Sequence, residues 1–141
     1  MPRAYLTRRV KFTATHRYGH SEWTDEQNEK VFGVIARAGN HGHDYVCELT
    51  IAGEMDPLTG WVFDLGALDA ALADEVTRRF DGRNINSDVP EFAHGRLAPS
   101  GENLARFIFD RMRARLPTTV EVEAVTVAED HTLSATYKGD V

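Results

Sequence analysis

The sequence predicts an α+β fold in which a four-stranded antiparallel sheet carries two helices on one face. Residues 4–16 and 41–52 alternate between apolar and polar side chains, as half-buried strands do. Residues 119–129 and 132–138 alternate too and predict a closing hairpin. Two segments between these pairs repeat apolar residues at helical spacing. They are Leu65, Leu68, Leu72 and Val76, then Leu104, Phe107, Ile108, Met112 and Leu116.

The first strand is followed by a predicted helical insertion. Leu6, Val10, Phe12 and Ala14 share one face of the strand, and His16 closes that row. In the stretch SEWTDEQNEKVFG, Thr24 is a candidate N-cap, Gln27 stands at the capping-box position and Gly33 is a stop signal. We therefore expect a short helix between the first two strands.

The second strand begins with the stretch NHGHDY. Its apolar row contains Tyr45, Cys47, Leu49 and Ile51, and His41 and His43 have the same parity as that row. The stretch MDPLTG then predicts a chain reversal. Residues 83–101 are polar and punctuated by Gly and Pro, so we predict a long loop there, with a functional role.

Composition limits the class of protein. The chain has 141 residues, 42% of them hydrophobic, which fits a single domain over residues 1–141. Its 16 Lys plus Arg against 22 Asp plus Glu give a net charge of −6, so we expect neither nucleic acid nor a membrane as partner. No apolar run spans a bilayer, no signal peptide is apparent, and Cys47 is the lone cysteine. We expect a cytoplasmic protein.

Three histidines form a candidate metal site. His16, His41 and His43 stand at the ends of core-facing rows on two strands. A single histidine in such a place is more often a hydrogen-bonded core residue, but three imidazoles with one open position suit a catalytic Zn²⁺. Iron, copper and nickel also accept imidazole. The other histidines, at 20, 94 and 131, lie in polar loop sequence outside this set.

Several motifs together resemble the 6-pyruvoyl tetrahydropterin synthase and 6-carboxytetrahydropterin synthase superfamily, whose members have the tunnelling fold. The motifs are FTATHR, TDEQNEKVFG, NHGHDY, GEMDPLTGWVFDLGAL, GENLARFIFD and YKGD, which run nearly end to end. The resemblance implies zinc on His16, His41 and His43, and a pterin ring held by Glu129. It also implies trimeric barrels that stack in pairs into a homohexamer, with sites at the subunit interfaces.

The sequence differs from that family at the residues that transfer protons. The family's relay resembles a Cys, Asp, His set, but the two branches' thiol positions fall on Ile35 and Arg37 here. Asp81 matches the family aspartate, whereas Gly82 replaces the histidine. Cys47 lies four residues beyond His43 in an extended strand, roughly 13 Å away at ~3.3 Å per residue, so it cannot stand in. The candidate replacements are Asp81, His94 and Glu102.

Three functions are compatible with the sequence. The first is a zinc-dependent lyase of the pyruvoyl synthase type that acts on a dihydropterin, such as dihydroneopterin triphosphate, with an altered proton relay. The second uses the same zinc site for another reaction, such as retro-aldol cleavage of the side chain. The third is a non-catalytic pterin-binding protein. Arg17, Arg83 and Arg96 are equally plausible as phosphate ligands.

Overall fold

The computed structural model describes residues 2–140 and contains the four predicted antiparallel strands in a mixed sheet. These strands are β1 (Arg3–His16), β2 (His41–Glu54), β4 (Glu121–Asp130) and β5 (Leu133–Tyr137). A two-residue strand, β3 (Arg83–Asn84), adds a fifth member that the sequence did not predict. It runs parallel to β1, beside Ala14 and Thr15. The strand order is β3-β1-β2-β4-β5.

The helices connect the strands. Helix α1 (Asp25–Phe32) begins at the predicted capping box of Thr24 and Gln27 and ends at Gly33, where a 3₁₀ helix (Gly33–Ala38) follows. Helix α2 (Leu65–Leu72) continues through a π-helical turn (Ala73–Thr77) into α3 (Arg78–Phe80). Helix α5 (Gly101–Arg115) is capped by Ser100. Among residues 2–140, every helix is too short or too polar to span a bilayer.

The segment predicted as a long loop is partly helical. It contains α4 (Ile85–Asp88) and a 3₁₀ helix (Pro90–Phe92), besides β3. Ile85 and Phe92 are fully buried in the core, and Asn86 donates a hydrogen bond to the carbonyl oxygen of Phe92. The prediction of one long loop over residues 83–101 was therefore wrong for residues 83–92, because their few apolar residues anchor short helical turns.

The core lies between the sheet and the long helices. Inward side chains of β1, β2 and β4 meet the apolar faces of α2, α3 and α5. The opposite face of the sheet is polar, and hydrogen bonds join Thr7 to Thr50 and Thr13 to Asp44 across it. The core residues contributed by the strands include Phe12, Ala14, Tyr45, Cys47, Leu49, Ile51, Val125 and Val127.

An ion-pair network joins the two long helical segments. Glu75, in the π-helical turn, is 3% exposed and accepts hydrogen bonds from Arg79 at 3.1 Å and from Nη2 of Arg111 at 2.9 Å. Burial alone would raise the pKa of Glu75, but the hydrogen bonds from Arg111 and Arg79 outweigh it, and the pKa is lowered. Glu75 is therefore a charged link between α5 and the π-helical turn.

Candidate metal centre and ligand cavity

Strand pairing brings the three candidate histidines together. His16 ends β1 and lies directly opposite His41, the first residue of β2, while Ala14 lies opposite His43. The ring centroid of His16 lies 4.4 Å from that of His41 and 5.1 Å from that of His43. One ring nitrogen from each residue lies within 4.8 Å of the others. A register shift of one residue would turn the His41 and His43 side chains to the opposite face.

The hydrogen bonds of these imidazoles indicate a missing partner. Nδ1 of His41 lies 3.2 Å from the carbonyl oxygen of Gly39, which leaves Nε2 available. Both ring nitrogens of His16, and Nε2 of His43, are buried and have no hydrogen-bond partner among residues 2–140. Buried polar atoms are rarely left unpaired. A divalent cation accepts lone pairs from all three rings, so the residues fit a metal ion.

His16 is neutral at physiological pH. Burial, together with the nearby His41 and His43 rings, lowers the pKa of His16 to about 4. A metal ligand has to be unprotonated, so this environment prepares the ring for metal binding without displacement of a proton at neutral pH.

Two tyrosines that sequence reasoning did not assign lie beside the histidines. The Tyr18 ring makes an edge contact with His16 at 5.3 Å between centroids. Tyr45 is fully buried, stacks on Phe12 at 4.8 Å and lies 5.5 Å from the His43 ring. Its hydroxyl also has no hydrogen-bond partner in the described chain. In the sequence, the one indication of this position is that Tyr45 has the same parity along β2 as His41 and His43, which places all three on one face of the strand.

A second part of the site is a cavity between α5 and the hairpin. It has a volume of about 280 Å³ and is lined by Glu102, Glu129 and residues of β5. A Cβ atom at Gly101, the first residue of α5, would lie 3.4 Å from the Cβ of Ala135 and 3.9 Å from Oε1 of Glu129. These distances are ordinary van der Waals contacts, so the start of α5 lies directly against the hairpin beside the Glu129 carboxylate.

Glu129 lies on the same side of the sheet as the metal ligands. Val46 pairs with Ala128, so Glu129 is placed next to Tyr45 by the register. The pKa of Tyr18 also indicates that the two carboxylates lie near this tyrosine. Burial, and then the charges of Glu129 and Glu102, raise that pKa to about 12. The histidines, the two tyrosines and the two carboxylates therefore belong to one region of the molecule.

The other two candidate proton carriers lie elsewhere in the chain. Oδ1 of Asp81 accepts a hydrogen bond from the backbone N–H of Thr13 at 2.9 Å, which ties the end of α3 to β1. Nδ1 of His94 lies 3.1 Å from the carbonyl oxygen of Gly19. His94 lines a separate cleft of about 140 Å³ with His20 and Trp23.

The two positions at which the family resemblance would place a thiol carry no base in this structure. Ile35 and Arg37 lie in the 3₁₀ helix after α1, and Arg37 forms an ion pair with Glu29. Cys47 is fully buried, and burial, followed by the charge of Glu48, raises its pKa to about 12. Its role is packing in the core.

Converging imidazoles at the ends of paired strands, with a carboxylate on the neighbouring strand, define an α+β protein with a metal-ligand site beside a ligand cavity. The family model described as 6-pyruvoyl tetrahydropterin synthase matches residues 5–140. This chain belongs to the 6-pyruvoyl tetrahydropterin synthase family. The family generally uses a metal ion, and the histidine cluster is a place for one.

Individual relatives support the assignment. The human 6-pyruvoyl tetrahydrobiopterin synthase is 34% identical over 137 residues, which cover 97% of this chain and 92% of the human protein. The Caenorhabditis elegans 6-pyruvoyl tetrahydropterin synthase structure superposes with a TM-score of 0.87 at 30% identity, covering 99% and 98% of the two chains. A dihydroneopterin monophosphate aldolase of Pyrococcus furiosus is 27% identical over 127 residues, 90% of each chain.

Proposed function

We propose that this protein is a zinc-dependent lyase of the 6-pyruvoyl tetrahydropterin synthase type that acts on a dihydropterin, dihydroneopterin triphosphate or a relative of it. The observation that carries the proposal is the convergence of His16, His41 and His43, with their ligand atoms within 4.8 Å of one another. Its membership of a pterin synthase family supplies the substrate class.

The three imidazoles would hold zinc and leave one coordination position open. Bound there, zinc supplies Lewis acidity, which lowers the pKa of a hydroxyl on the substrate side chain. The buried His16 ring and the Gly39 carbonyl that fixes the His41 ring are the chain's own contribution to the geometry of this site. The choice of zinc over iron, copper or nickel is part of the proposal.

Glu129 is the proposed anchor for the pterin ring. Its two carboxylate oxygens accept a pair of N–H groups from the guanidine-like edge of a pterin, a bidentate and charge-assisted contact. The register places Glu129 on the side of the sheet that carries Tyr45 and the histidines. A ligand held by Glu129 at the ring would therefore direct its side chain toward the metal centre.

Proton transfer is proposed for Glu102, Asp81 and His94. Glu102 is best placed within one chain, because it lines the same cavity as Glu129. Asp81 accepts the Thr13 N–H through Oδ1, and Nδ1 of His94 lies beside the Gly19 carbonyl, so Oδ2 of Asp81 and Nε2 of His94 are the atoms proposed to carry a proton. A positioned acid or base contributes about 10²- to 10⁴-fold to the rate, so these roles are measurable.

A retro-aldol cleavage of the side chain is the second candidate. It is favoured by the absence of the family's thiol and histidine, since Ile35, Arg37 and Gly82 occupy those positions. The similarity to the Pyrococcus furiosus protein named dihydroneopterin monophosphate aldolase supports the same alternative. A metal ion held by His16, His41 and His43 would supply the same Lewis acidity to both reactions, so the metal centre does not distinguish between them.

The reaction products would distinguish the synthase-type lyase from the aldolase reaction. The purified protein, loaded with zinc, would be incubated with dihydroneopterin triphosphate and with the monophosphate. Release of inorganic triphosphate without loss of side-chain carbons supports the synthase-type lyase, whereas release of a short aldehyde supports the aldolase reaction. Tight binding of both compounds without turnover overturns the enzyme proposals and leaves a pterin-binding protein.

Assembly into a homohexamer, as two stacked trimeric barrels, is part of the proposal, as is a cytoplasmic location. The sheet ends in two open edges, β3 and β5, and open edges are places where strands of other chains add. On β5, Leu133 is 57% exposed. Light scattering would give the mass in solution, and a stable monomer would overturn the assembly.

A further inference from the structure

Buried atoms without hydrogen bonds cluster at one place. Within residues 2–140, five buried side-chain nitrogen or oxygen atoms have no partner, and four of them belong to His16, His43 and Tyr45. The fifth is Nε of Arg79, whose Nη2 already donates to Glu75. A buried hydroxyl without a partner is unfavourable, so the Tyr45 oxygen is expected to gain a hydrogen-bond partner in the metal-loaded protein.

The bonding of the three imidazoles can be counted atom by atom. His41 uses Nδ1 for the Gly39 carbonyl and keeps Nε2 for a metal. His43 has one buried, unpartnered nitrogen, which suits a ligand atom. In His16 both nitrogens are buried and unpartnered, but only one can bind the ion. The second carries a proton in the neutral ring, and neither solvent nor a described backbone carbonyl reaches it.

The Tyr45 hydroxyl is the nearby group that could accept a hydrogen bond from that N–H. On the inward face of β1 and β2, the Phe12–Tyr45 pair and the His16–His41 pair are separated only by Ala14 and His43. Ala14, which lies between Phe12 and His16 on that face of β1, is a small residue. The centroids of the Tyr45 and His16 rings are 6.3 Å apart at an interplanar angle of 50°, and at this separation a phenol oxygen and a ring nitrogen are able to come within hydrogen-bond distance.

We propose that Tyr45 is a positioning residue: in the metal-loaded protein its hydroxyl accepts a hydrogen bond from the non-ligating N–H of His16. This inference rests on the proposed metal centre. Ligating histidines almost always donate their second N–H to a partner, which fixes the ring orientation, and loss of that partner typically weakens metal binding about 10- to 100-fold.

The Tyr45→Phe variant removes only the hydroxyl and keeps the ring that stacks on Phe12. Zinc affinity, measured by competition with a chromophoric chelator, should fall about 10- to 100-fold. The metal-free variant should be at least as stable toward denaturant as the unchanged protein, because the lost hydroxyl had no partner. Opposite effects on metal binding and on metal-free stability distinguish positioning from simple packing.

Tyr18→Phe is the matched control. It removes a hydroxyl from a ring at 5.3 Å from His16, but that hydroxyl is not among the buried, unpartnered atoms. Its zinc affinity should stay close to that of the unchanged protein. Equal zinc affinity in Tyr45→Phe and the unchanged protein, or a loss of metal-free stability in Tyr45→Phe, would overturn the role of Tyr45 alone. An unchanged protein that binds no zinc would overturn the metal centre itself.

A measurement on the unchanged protein avoids reliance on variants. With ¹⁵N-labelled histidine and bound zinc, the non-ligating N–H of His16 should give a slowly exchanging proton signal with a nuclear Overhauser effect to the Tyr45 ring. A rapidly exchanging His16 proton, or a contact from Tyr45 to the His43 nitrogen instead, contradicts the proposal.

Discussion

His16 and His41 face each other across the first pair of β1 and β2, with ring centroids 4.4 Å apart. The pair lies where the two strands are still joined by their ladder, so the backbone fixes the distance between the rings. The alternation of β2 adds His43 to the same face, with its ring centroid 5.1 Å from that of His16. A rigid sheet end therefore places all three imidazoles before a metal arrives.

His41→Ala should remove metal binding while leaving the fold intact. His41 is half-buried at the first residue of β2, so its loss creates little cavity. We expect zinc affinity to fall by more than the roughly 10- to 100-fold that loss of an outer partner causes. Metal content after dialysis measures this. His131→Ala, at an exposed hairpin position, is the control. A full metal complement in His41→Ala would contradict the triad.

The metal-free protein should lose stability in mild acid through His16. The pKa of His16 is lowered from 6.5 to about 4 in the fold, mainly by burial. The unfolded chain therefore binds a proton that the folded chain resists, and stability is fully present above about pH 6.5 and falls as the pH drops toward 4. Urea unfolding at several pH values, with chelator present, would show this dependence.

The His16→Gln variant serves as the reference for that measurement. Glutamine does not titrate, so the stability of the variant should depend less on pH between 6.5 and 4. Parallel pH profiles for the two proteins would show that burial does not suppress the protonation of His16.

Glu129 and Glu102 should affect different kinetic parameters. Glu129→Gln removes charge-assisted hydrogen bonds to the pterin ring, so ligand binding should weaken by about 1.5–3 kcal/mol. Glu102→Gln should lower kcat by about 10²- to 10⁴-fold with little change in KM, if Glu102 moves a proton. Steady-state kinetics and calorimetric titration measure both. Glu121→Gln, exposed on the same strand as Glu129, should change neither.

The sequence predicted the parts of the fold that periodicity determines. Alternation along β1 and β2 assigns each side chain to a face, and this is sufficient to bring His16 near His41 once the strands pair. Strand β3 carries no such signal, because two residues are too few for a period. Its pairing with β1 depends on where α3 delivers the chain.

The parts of the site that sequence reasoning missed depend on tertiary contacts. Tyr45 belongs to an apolar row, where a buried tyrosine cannot be distinguished from any other core aromatic, and its unpartnered hydroxyl is visible only in three dimensions. The position of His94 likewise follows from packing of its segment against Gly19, 75 residues earlier in the chain. Spacing along the chain contains neither contact.

Glu75→Gln should destabilise the fold without affecting the metal centre. Glu75 is 3% exposed and binds Arg79 and Arg111, so a neutral amide leaves two guanidinium groups without their counter-charge. We expect a loss of about 1.5–3 kcal/mol in the free energy of unfolding near neutral pH.

Because the pKa of Glu75 is lowered in the fold, the stability that its carboxylate contributes is present above the ordinary pKa of 4.5 and is lost as the pH falls. The stabilities of the variant and the unchanged protein should therefore converge in acid. Asp74→Asn is the matched control: Asp74 pairs with the exposed side chains of Arg78 and Arg115, and solvent screens such surface pairs, so the loss of stability should be smaller. Denaturant unfolding monitored by circular dichroism would compare the two variants, and equal losses would show that the Glu75 network is no stronger than a surface pair.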